Sequence, residues 1–176
     1  MVTLKGKYIW LRALEPGDLD FLYQLENDTR VWEISGTTAP YSRHVLKNYL
    51  ENAHRDIYEV KQLRLCICKE EDVVIGLIDL FDFDPKNKRV GLGIVLVDWE
   101  RNKGLGSEAI QILCNYVFST LAVRQLYANV TADNGPSLHL FKKLGFTEAG
   151  IKKDWIFSEG HYKDEVLLQK INDSCI

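Results

Sequence analysis

The stretch Arg101-Asn102-Lys103-Gly104-Leu105-Gly106-Ser107 decides the fold of this chain. It lies between an apolar run at 92–97, typical of a buried strand, and a long amphipathic segment that begins at Gly104. Where a helix begins, the first backbone N–H groups have no helical partner and lie at the positive end of the helix dipole. Two glycines let an oxygen approach the backbone closely, and Arg101 and Lys103 add positive charge. The stretch therefore predicts a site for a phosphate-bearing ligand.

Glycine-rich stretches occur in several kinds of phosphate site and also at plain helix starts. A Walker loop requires Gly-x-x-x-x-Gly-Lys-Ser/Thr, which the sequence lacks, so nucleoside triphosphate hydrolysis is not expected. A dinucleotide fingerprint matches formally as Gly104-x-Gly106-x-x-Ala109, but residues 98–103 separate the strand from the first glycine, where that fold turns tightly. The stretch alone therefore leaves a dinucleotide site and an ordinary glycine-rich helix start open.

A second motif, Asn134-Gly-Pro-Ser137-Leu-His-Leu-Phe141-Lys-Lys-Leu144-Gly145-Phe146, follows one helix and one strand later. Asn134 is suited to cap a short helix, and Gly145 is suited to end it. In this order, the two motifs resemble the pyrophosphate loop Arg/Gln-x-x-Gly-x-Gly/Ala and the segment Asn-x-x-Ser/Ala-x-x-h-Tyr/Phe-x-Lys-x-Gly-Phe of the GNAT acyl-CoA N-acyltransferases. Residues 11–19 and 150–169 resemble the opening and the closing hairpin of the RimJ/RimL and spermidine N-acetyltransferase branch. The resemblance thus covers nearly the whole chain.

The resemblance implies an α/β (α+β) architecture, the GNAT acyl-CoA N-acyltransferase fold, with a mixed central sheet of about six to seven strands flanked by about four helices. At 176 residues and 46% hydrophobic content, residues 1–176 are expected to form one domain. Apolar periodicity predicts a loop at 32–40 between the first two helices. The predicted strands are 9–13, 63–69, 73–83, 89–97, 125–131, 146–157 and 161–171, and the predicted helices are 16–27, 42–54, 104–121 and 134–144.

Bulk composition argues against several kinds of partner. A net charge of −3 and a pI near 5.8, with no run rich in Lys and Arg, argue against nucleic-acid binding. No apolar run approaches the roughly 18–20 residues that span a membrane, and no signal-peptide core follows Met1. Cys66 and Cys68 point the same way on a predicted strand and are interpreted as reduced core residues. Because Cys66, Cys68, Cys114 and Cys175 lack a metal-binding spacing, no metal is expected, and the cytoplasm is the simplest compartment.

Acetyl-CoA is the co-substrate that the resemblance implies. In GNAT folds a strand splays from its neighbour just before the phosphate loop, and its backbone N–H groups meet the thioester carbonyl and the pantetheine arm. By resemblance, this place falls at Ile94, Val95 and Leu96. The residues expected to bind the cofactor are Ile94, Val95, Leu96, Arg101, Asn102, Lys103, Gly104, Leu105, Gly106, Ser107, Asn134, Ser137, Phe141 and Lys143.

Acyl transfer from a thioester to an amine requires a neutral amine, a hydrogen-bond donor to the carbonyl and a protonated leaving thiolate. In the family that the chain resembles, a tyrosine often lies seven residues after the capping asparagine, and a glutamate lies on the strand before the loop. This chain has Phe141 and Gly91 at those positions, and neither can transfer a proton. Ser137, one helical turn before Phe141, is expected to hydrogen-bond the leaving thiolate or a water. A purely structural place in the first helical turn is the alternative for Ser137.

Carboxylates are the side chains expected to meet a cationic acceptor. In the spermidine branch, acidic residues occur at positions that match Asp79 and Asp82. Because these two are three residues apart, they point to opposite faces of a regular strand, and only one enters the cleft unless a bulge intervenes. We expect Asp82 to act as the base and to contact the substrate, with Asp79 and Glu33, from the predicted loop, as further substrate contacts. An exposed carboxylate without function is the alternative for each.

These residues predict an enzyme that transfers the acetyl group of acetyl-CoA to a primary amine, and the acceptor we expect is a small cationic amine such as a polyamine. Acetylation of a protein N-terminus, in the manner of RimJ/RimL, is the alternative within this class. A non-catalytic acyl-CoA-binding module is the alternative outside it, because Phe141 and Gly91 replace the two side chains that relatives often use. A dinucleotide-dependent oxidoreductase is the remotest alternative. A homodimer is compatible with the resemblance.

Overall fold

The computed structural model describes residues 4–173, which form a seven-stranded sheet with helices packed on both faces. The strand order is β1-β2-β3-β4-β5-β7-β6, and all neighbouring strands are antiparallel except β4 and β5. This is the mixed sheet that the sequence predicts. The strands are β1 (Trp10–Ala13), β2 (Leu63–Lys69), β3 (Val73–Asp84), β4 (Arg89–Leu96), β5 (Gln125–Thr131), β6 (Thr147–Ser158) and β7 (His161–Ile171). The α-helices are α1 (Leu19–Glu26), α2 (Thr29–Ser35), α3 (Arg43–Glu51), α4 (Ile57–Val60), α5 (Leu105–Ser119) and α6 (Gly135–Lys143).

Two apolar clusters, one on each face of the sheet, form the core. The larger lies between α5 and the sheet, and the smaller lies between α1, α3 and the opposite face. Ile110 of α5 and Leu22 of α1 are both fully buried. As predicted, Cys66 and Cys68 are buried free thiols, and burial raises the pKa of both. Cys175 lies outside the described residues.

β4 and β5 separate soon after they meet. Their parallel pairing joins residues 89–91 of β4 to residues 125–127 of β5 and then stops, although both strands continue. β4 keeps its antiparallel pairing with β3 to its last residue. The backbone N–H and C=O groups at 92–96 that face β5 therefore have no strand partner there. The splay implied by the family resemblance is present.

Two short helices depart from the sequence prediction. The sequence predicts a loop at 32–40, but α2 extends to residue 35, so this prediction is wrong for the first part of the loop. Asp28 caps α2 by accepting a hydrogen bond from the Arg30 N–H at 3.0 Å, and Gly36, with a φ of 69°, ends it. α4 is a single turn that Asp56 caps in the same manner. α2 is the helix that lies over the cleft described below.

A bulge at the end of β3 changes the side-chain alternation there. Pairing with β4 shifts after Phe81, and Asp82 has a φ of 49°. Leu80 and Phe83, three residues apart, are consequently buried in the same cluster. The regular alternation assumed for Asp79 and Asp82 does not hold, because a bulge intervenes between them and leaves Asp82 exposed.

Candidate active site

The stretch 101–107 turns the chain from β4 into α5. Asn102 (φ 60°) and Gly104 (φ 80°) both adopt left-handed backbone conformations, and Gly104 is the N-cap of α5 without a side-chain hydrogen bond. The N–H groups of the first helical turn therefore lack helical partners at the positive end of the dipole. A Cβ on Gly106 would lie 3.4 Å from Cδ1 of Leu96, an ordinary contact, so an alanine fits there. The geometry suits an anionic phosphate group.

Both cations of this loop pair with acids of the turn that precedes it. Arg101 Nη1 lies 3.0 Å from Asp98 Oδ1, and Arg101 Nε donates to the carbonyl of Leu96 at 3.1 Å. Lys103 Nζ lies 3.2 Å from Oε2 of Glu100, a buried carboxylate. The backbone N–H groups of the loop are therefore its main binding groups for an anion, because the charges of Arg101 and Lys103 are already partly neutralised.

Two cavities meet at the splayed end of β4. The first, the α6 cavity, has a volume of about 290 Å³ and is lined by residues of α2, α6 and strands β3 to β7. The second, the α1 cavity, has a volume of about 340 Å³ and is lined by residues of α1, α2 and strands β2 to β4. The residues that line both cavities, and thus mark their boundary, are Ile34, Ser35, Phe81, Gly93 and Ile94.

The predicted cofactor residues fall into three groups. The loop 101–107 lies at the start of α5 and lines neither cavity. Val95 lines the α1 cavity, while Leu96, which packs against the core, and Lys143, which is exposed in the last turn of α6, line neither. Of the predicted residues, those that line the α6 cavity are Ile94, which lines both cavities, and Asn134, Ser137 and Phe141.

α6 presents one side to the α6 cavity. Asn134 Oδ1 accepts a hydrogen bond from the Ser137 N–H at 3.2 Å, which is the predicted N-cap. Phe141, one turn after Ser137, is buried and meets Phe146 edge to face, with ring centroids 5.0 Å apart. Ser137 thus adds a hydroxyl to the cavity wall, and Phe141 contributes to its apolar surface.

Glu33 lies in α2 at the α6 cavity and is bound by the β6–β7 hairpin. Lys163 Nζ lies 3.0 Å from Glu33 Oε1 and 2.8 Å from Asp133 Oδ2. Ser158 Oγ donates a further hydrogen bond to Glu33 at 2.8 Å. Hydrogen bonds to Asp133 and Glu33 raise the pKa of Lys163, and the bond from Lys163 lowers the pKa of Asp133. This network fastens α2 across the cleft.

Arg64 is the centre of a second charge network, in the α1 cavity. Its largely buried guanidinium donates to both carboxylate oxygens of Asp79, at 2.7 and 3.0 Å, and also contacts Glu26. Burial lowers the pKa of Arg64, but the charge and hydrogen bonds of Asp79 outweigh burial and raise the pKa above its ordinary value. The sequence prediction omits Arg64 and Glu26. Arg64 and Asp79 are cross-strand partners in β2 and β3, but the register shift between Ile67 and Cys68 hides this pairing from the sequence.

Asp82 joins neither network. It is exposed at the bulge and lines neither cavity. At the position of the absent glutamate, a Cβ on Gly91 would lie 2.3 Å from Cε2 of Phe81, so the aromatic ring occupies the space. Of the three predicted substrate acids, Glu33 and Asp79 reach a cavity, and the catalytic role of Asp82 stays a prediction.

Within residues 4–173, no three or more His, Cys, Asp or Glu side chains are grouped so that they could hold a metal ion. Over the same range, none of the helices has the length and apolar character needed to cross a membrane. All four histidines are exposed: His44, His54, His139 and His161.

Known proteins share this architecture. A family model for the acetyltransferase (GNAT) domain matches residues 9–147. The chain belongs to this family. It is 27% identical to the spermidine N(1)-acetyltransferase of Vibrio cholerae over 154 residues, which are 88% of this chain and 87% of that protein. The crystal structure of spermidine N-acetyltransferase from Vibrio cholerae in complex with CoA and spermine matches with a TM-score of 0.86 at 24% identity, covering 94% of this chain and 96% of the other. The dodecameric structure of the Vibrio cholerae enzyme in an intermediate state matches with a TM-score of 0.80 at 27% identity, covering 94% and 95%.

Family membership confirms the predicted GNAT fold, the N-acetyltransferase class and acetyl-CoA as co-substrate. It excludes the dinucleotide-dependent oxidoreductase. The residues present fit the co-substrate. An uncapped first turn of α5 suits a diphosphate, the unpaired edge of β4 at 92–96 suits an amide-bearing arm, and Phe141 gives the adjoining wall an apolar surface.

Proposed function

We propose that the acceptor is a primary amine of a small polycation of the polyamine class. The observation that carries this proposal is that the two cavities meet. Residues of α6 line the first cavity, where acetyl-CoA is expected, and two carboxylates paired with one cation line the second. In the α1 cavity, Glu26 and Asp79 share the single cation Arg64, which leaves one negative charge in excess. A second ammonium group of the acceptor would compensate this charge, and its attraction to the mostly buried carboxylates of Glu26 and Asp79 would be stronger than in bulk water.

The same imbalance recurs at the α6 cavity. Glu33 and Asp133 share Lys163, so this network also carries one negative charge in excess. The Vibrio cholerae relatives named above act on spermidine or bind spermine, which supports an acceptor with several ammonium groups. α2 lies across the cleft and contributes Glu33 and Ile34 to its walls, which favours a slender acceptor over a folded protein terminus.

Bound acetyl-CoA would supply the acetyl thioester that is transferred. The first turn of α5, with Arg101 beside it, would hold the diphosphate. Backbone N–H groups at 94–96 would hydrogen-bond the thioester carbonyl, which stabilises the charge that develops there. Ser137 would donate a hydrogen bond to the leaving sulfur. Because the amine and the thioester would be held close together at the junction of the cavities, their proximity would contribute much of the rate.

The acceptor must lose a proton before it attacks, and Gly91 offers no base. The sequence proposes Asp82 for this role, whereas Glu26 lies at the α1 cavity with only one contact to Arg64. Matched variants separate the two, since Asp82→Asn and Glu26→Gln each remove one carboxylate. If Asp82 is the base, kcat of Asp82→Asn falls by about a hundredfold or more, while Glu26→Gln mainly raises the amine KM.

Release of free thiol from acetyl-CoA, measured with spermine, spermidine, putrescine and a peptide with a free N-terminus, tests the proposed function. We expect kcat/KM to be highest for the amines with three or more nitrogens. Preference for the peptide would support protein N-terminal acetylation instead. If calorimetry shows tight binding of CoA but no amine is acetylated, the proposal is contradicted.

We propose that the chain also assembles with copies of itself. The β6–β7 hairpin exposes Trp155, Phe157 and Tyr162, each to about 60% (59%, 64% and 63%), on the edge of the sheet. An exposed aromatic surface of this kind is typical of interfaces. Sedimentation equilibrium should give an oligomer that Trp155→Glu weakens; a monomeric wild type would contradict this.

The expected cytoplasmic location is a further proposal, supported by the buried thiols and tested by cell fractionation.

A further inference from the structure

Phe81 occupies space that a side chain at position 91 would need. A Cβ built on Gly91 would lie 2.3, 2.5 and 2.7 Å from three ring carbons of Phe81, closer than real Cβ contacts allow. A Cβ on Gly93 would lie 3.9 Å from the same ring. The ring therefore lies against β4 at two glycines, and Gly91 is required because the ring is there.

Several contacts fix the position of this ring. Phe81 and Gly91 are cross-strand partners, and the β3 bulge that includes Asp82 follows directly. Tyr127 meets the ring edge to face, with centroids 5.8 Å apart and planes at 88°. A ring held by a strand partner, a bulge and a second aromatic ring is a rigid wall.

The ring also lies at the junction of the cavities. Phe81 lines both, together with Ile34, Ser35, Gly93 and Ile94. In the proposed function, the thioester carbonyl meets the backbone at 94–96, so the acyl chain attached to it extends into this junction. The only aromatic ring among the five shared residues is that of Phe81.

We propose that Phe81, seated on Gly91, is a specificity-determining residue that limits the transferred acyl group to acetyl. This inference rests on the proposed function. An acyl chain that extends from the backbone at 94–96 into the junction meets this ring, and the ring cannot give way without loss of its contacts with β4 and Tyr127. Each added methylene should therefore reduce kcat/KM by about tenfold or more.

Phe81→Ala and Phe81→Leu test the proposal with acetyl-, propionyl- and butyryl-CoA and one amine. Wild type should prefer acetyl over butyryl by about a hundredfold or more, and Phe81→Ala should reduce this ratio to about tenfold or less, with Phe81→Leu between them. Phe118→Ala is the matched control, because Phe118 packs beside the core on α5 and lines neither cavity. Its acetyl-to-butyryl ratio should equal that of wild type.

Gly91→Ala provides a second, independent test. In wild type the new methyl group displaces the ring and lowers acetyl transfer, whereas in the Phe81→Ala background it has open space and little further effect. An unchanged acetyl-to-butyryl ratio in folded Phe81→Ala and Phe81→Leu proteins overturns the assignment. If wild type transfers acetyl to no amine at all, the proposed function fails instead, so the two failures are distinguishable.

Discussion

The two cavities of the cleft are built by different forces. On the α6 side, next to the loop 101–107, the groups that we propose to bind acetyl-CoA are mostly backbone: an uncapped helix start after Gly104, an unpaired edge of β4 and a helix start capped by Asn134. On the α1 side, charges hold the walls together, and Arg64 joins α1, β2 and β3 through two carboxylates. Backbone geometry tolerates most side-chain changes, whereas a shared buried cation tolerates few. We therefore expect the α1 side to be the more fragile of the two.

α2 is the element where the two sides meet. Near its start, Arg30 contacts Asp98, which also binds Arg101 of the loop 101–107. Near its end, Glu33 binds Lys163 of the hairpin. Because α2 also contributes side chains to both cavities, a change in either network can alter the junction without touching a ligand.

Removal of the shared cation on the α1 side should have the largest effect. Arg64→Met leaves Glu26 and Asp79 with two negative charges and no cation between them, and the side chain of Arg64 is only 19% exposed. We expect the free energy of unfolding to fall by about 3–5 kcal/mol. Urea denaturation measures this loss.

Arg43→Met is the matched control, because Arg43 is 54% exposed and pairs with Asp20 on the surface. Its loss should be at most about 1 kcal/mol. Equal losses for the two variants would show that the α1 side is not held by its buried pair, and the comparison between the two sides would then fail.

A backbone change on the other side should have the next largest effect. Gly104 has a φ of 80°, and a valine there is strained by about 1–2 kcal/mol. Gly104→Val should therefore distort the first turn of α5 and raise the KM for acetyl-CoA by about tenfold, with little change in the amine KM. Initial-rate kinetics with each substrate varied in turn provide the measurement.

Gly160→Val carries the same strain elsewhere. Gly160 has a φ of 82° and open space around a built Cβ, but it lies in the turn between β6 and β7. This control should lose similar stability and keep the acetyl-CoA KM of wild type. If both variants raise that KM equally, the loop at 101–107 does not hold the cofactor.

Local signals made the α6 side predictable. A helix start, a cap and a glycine stop lie within a few residues of one another, so Gly104, Asn134 and Gly145 could be interpreted from sequence alone, and the splay of β4 followed from family resemblance. The same kind of signal was present for α2, since Asp28 and Gly36 flank it as cap and stop. The loop prediction at 32–40 missed it because the intervening apolar residues give no clear helical stripe.

Long-range pairing made the other side unpredictable. Arg64 and Glu26 are 38 residues apart, so no local pattern joins them, and the same is true on the α6 side for Glu33 and Lys163, which are 130 apart. The bulge after Phe81 also escapes periodicity, because one extra residue reverses the direction of every side chain that follows. Asp82 is exposed for this reason.

Loss of the second shared cation should have a smaller effect, which is visible in a titration. The hydrogen bond from Lys163 lowers the pKa of Asp133, so its stabilising contribution is complete above the ordinary carboxyl pKa of about 3.9 and is lost as pH falls through the lowered value. In Lys163→Met, the pKa of Asp133 should return toward the ordinary value. Carboxyl carbon shifts followed by NMR as pH is lowered measure it.

Lys153→Met is the control on the same hairpin. Lys153 binds Asp164 at 2.6 Å and lowers its pKa, so this variant should raise the pKa of Asp164 and leave that of Asp133 unchanged. The amine KM should rise in Lys163→Met only, because Glu33 and α2 are then released. Unchanged kinetics in Lys163→Met would mean that the ion pair between Lys163 and Glu33 is not needed to hold α2 in place.

Substitution of Ser137 should have the smallest effect and gives the sharpest test of the backbone side. If backbone N–H groups and proximity supply the catalysis there, Ser137→Ala removes one hydrogen bond of about 1 kcal/mol, and kcat falls about fivefold. A fall of about a hundredfold or more would instead identify Ser137 as a proton donor. The cofactor side would then depend on one side chain just as the α1 side depends on Arg64, and the difference between the two would be one of degree.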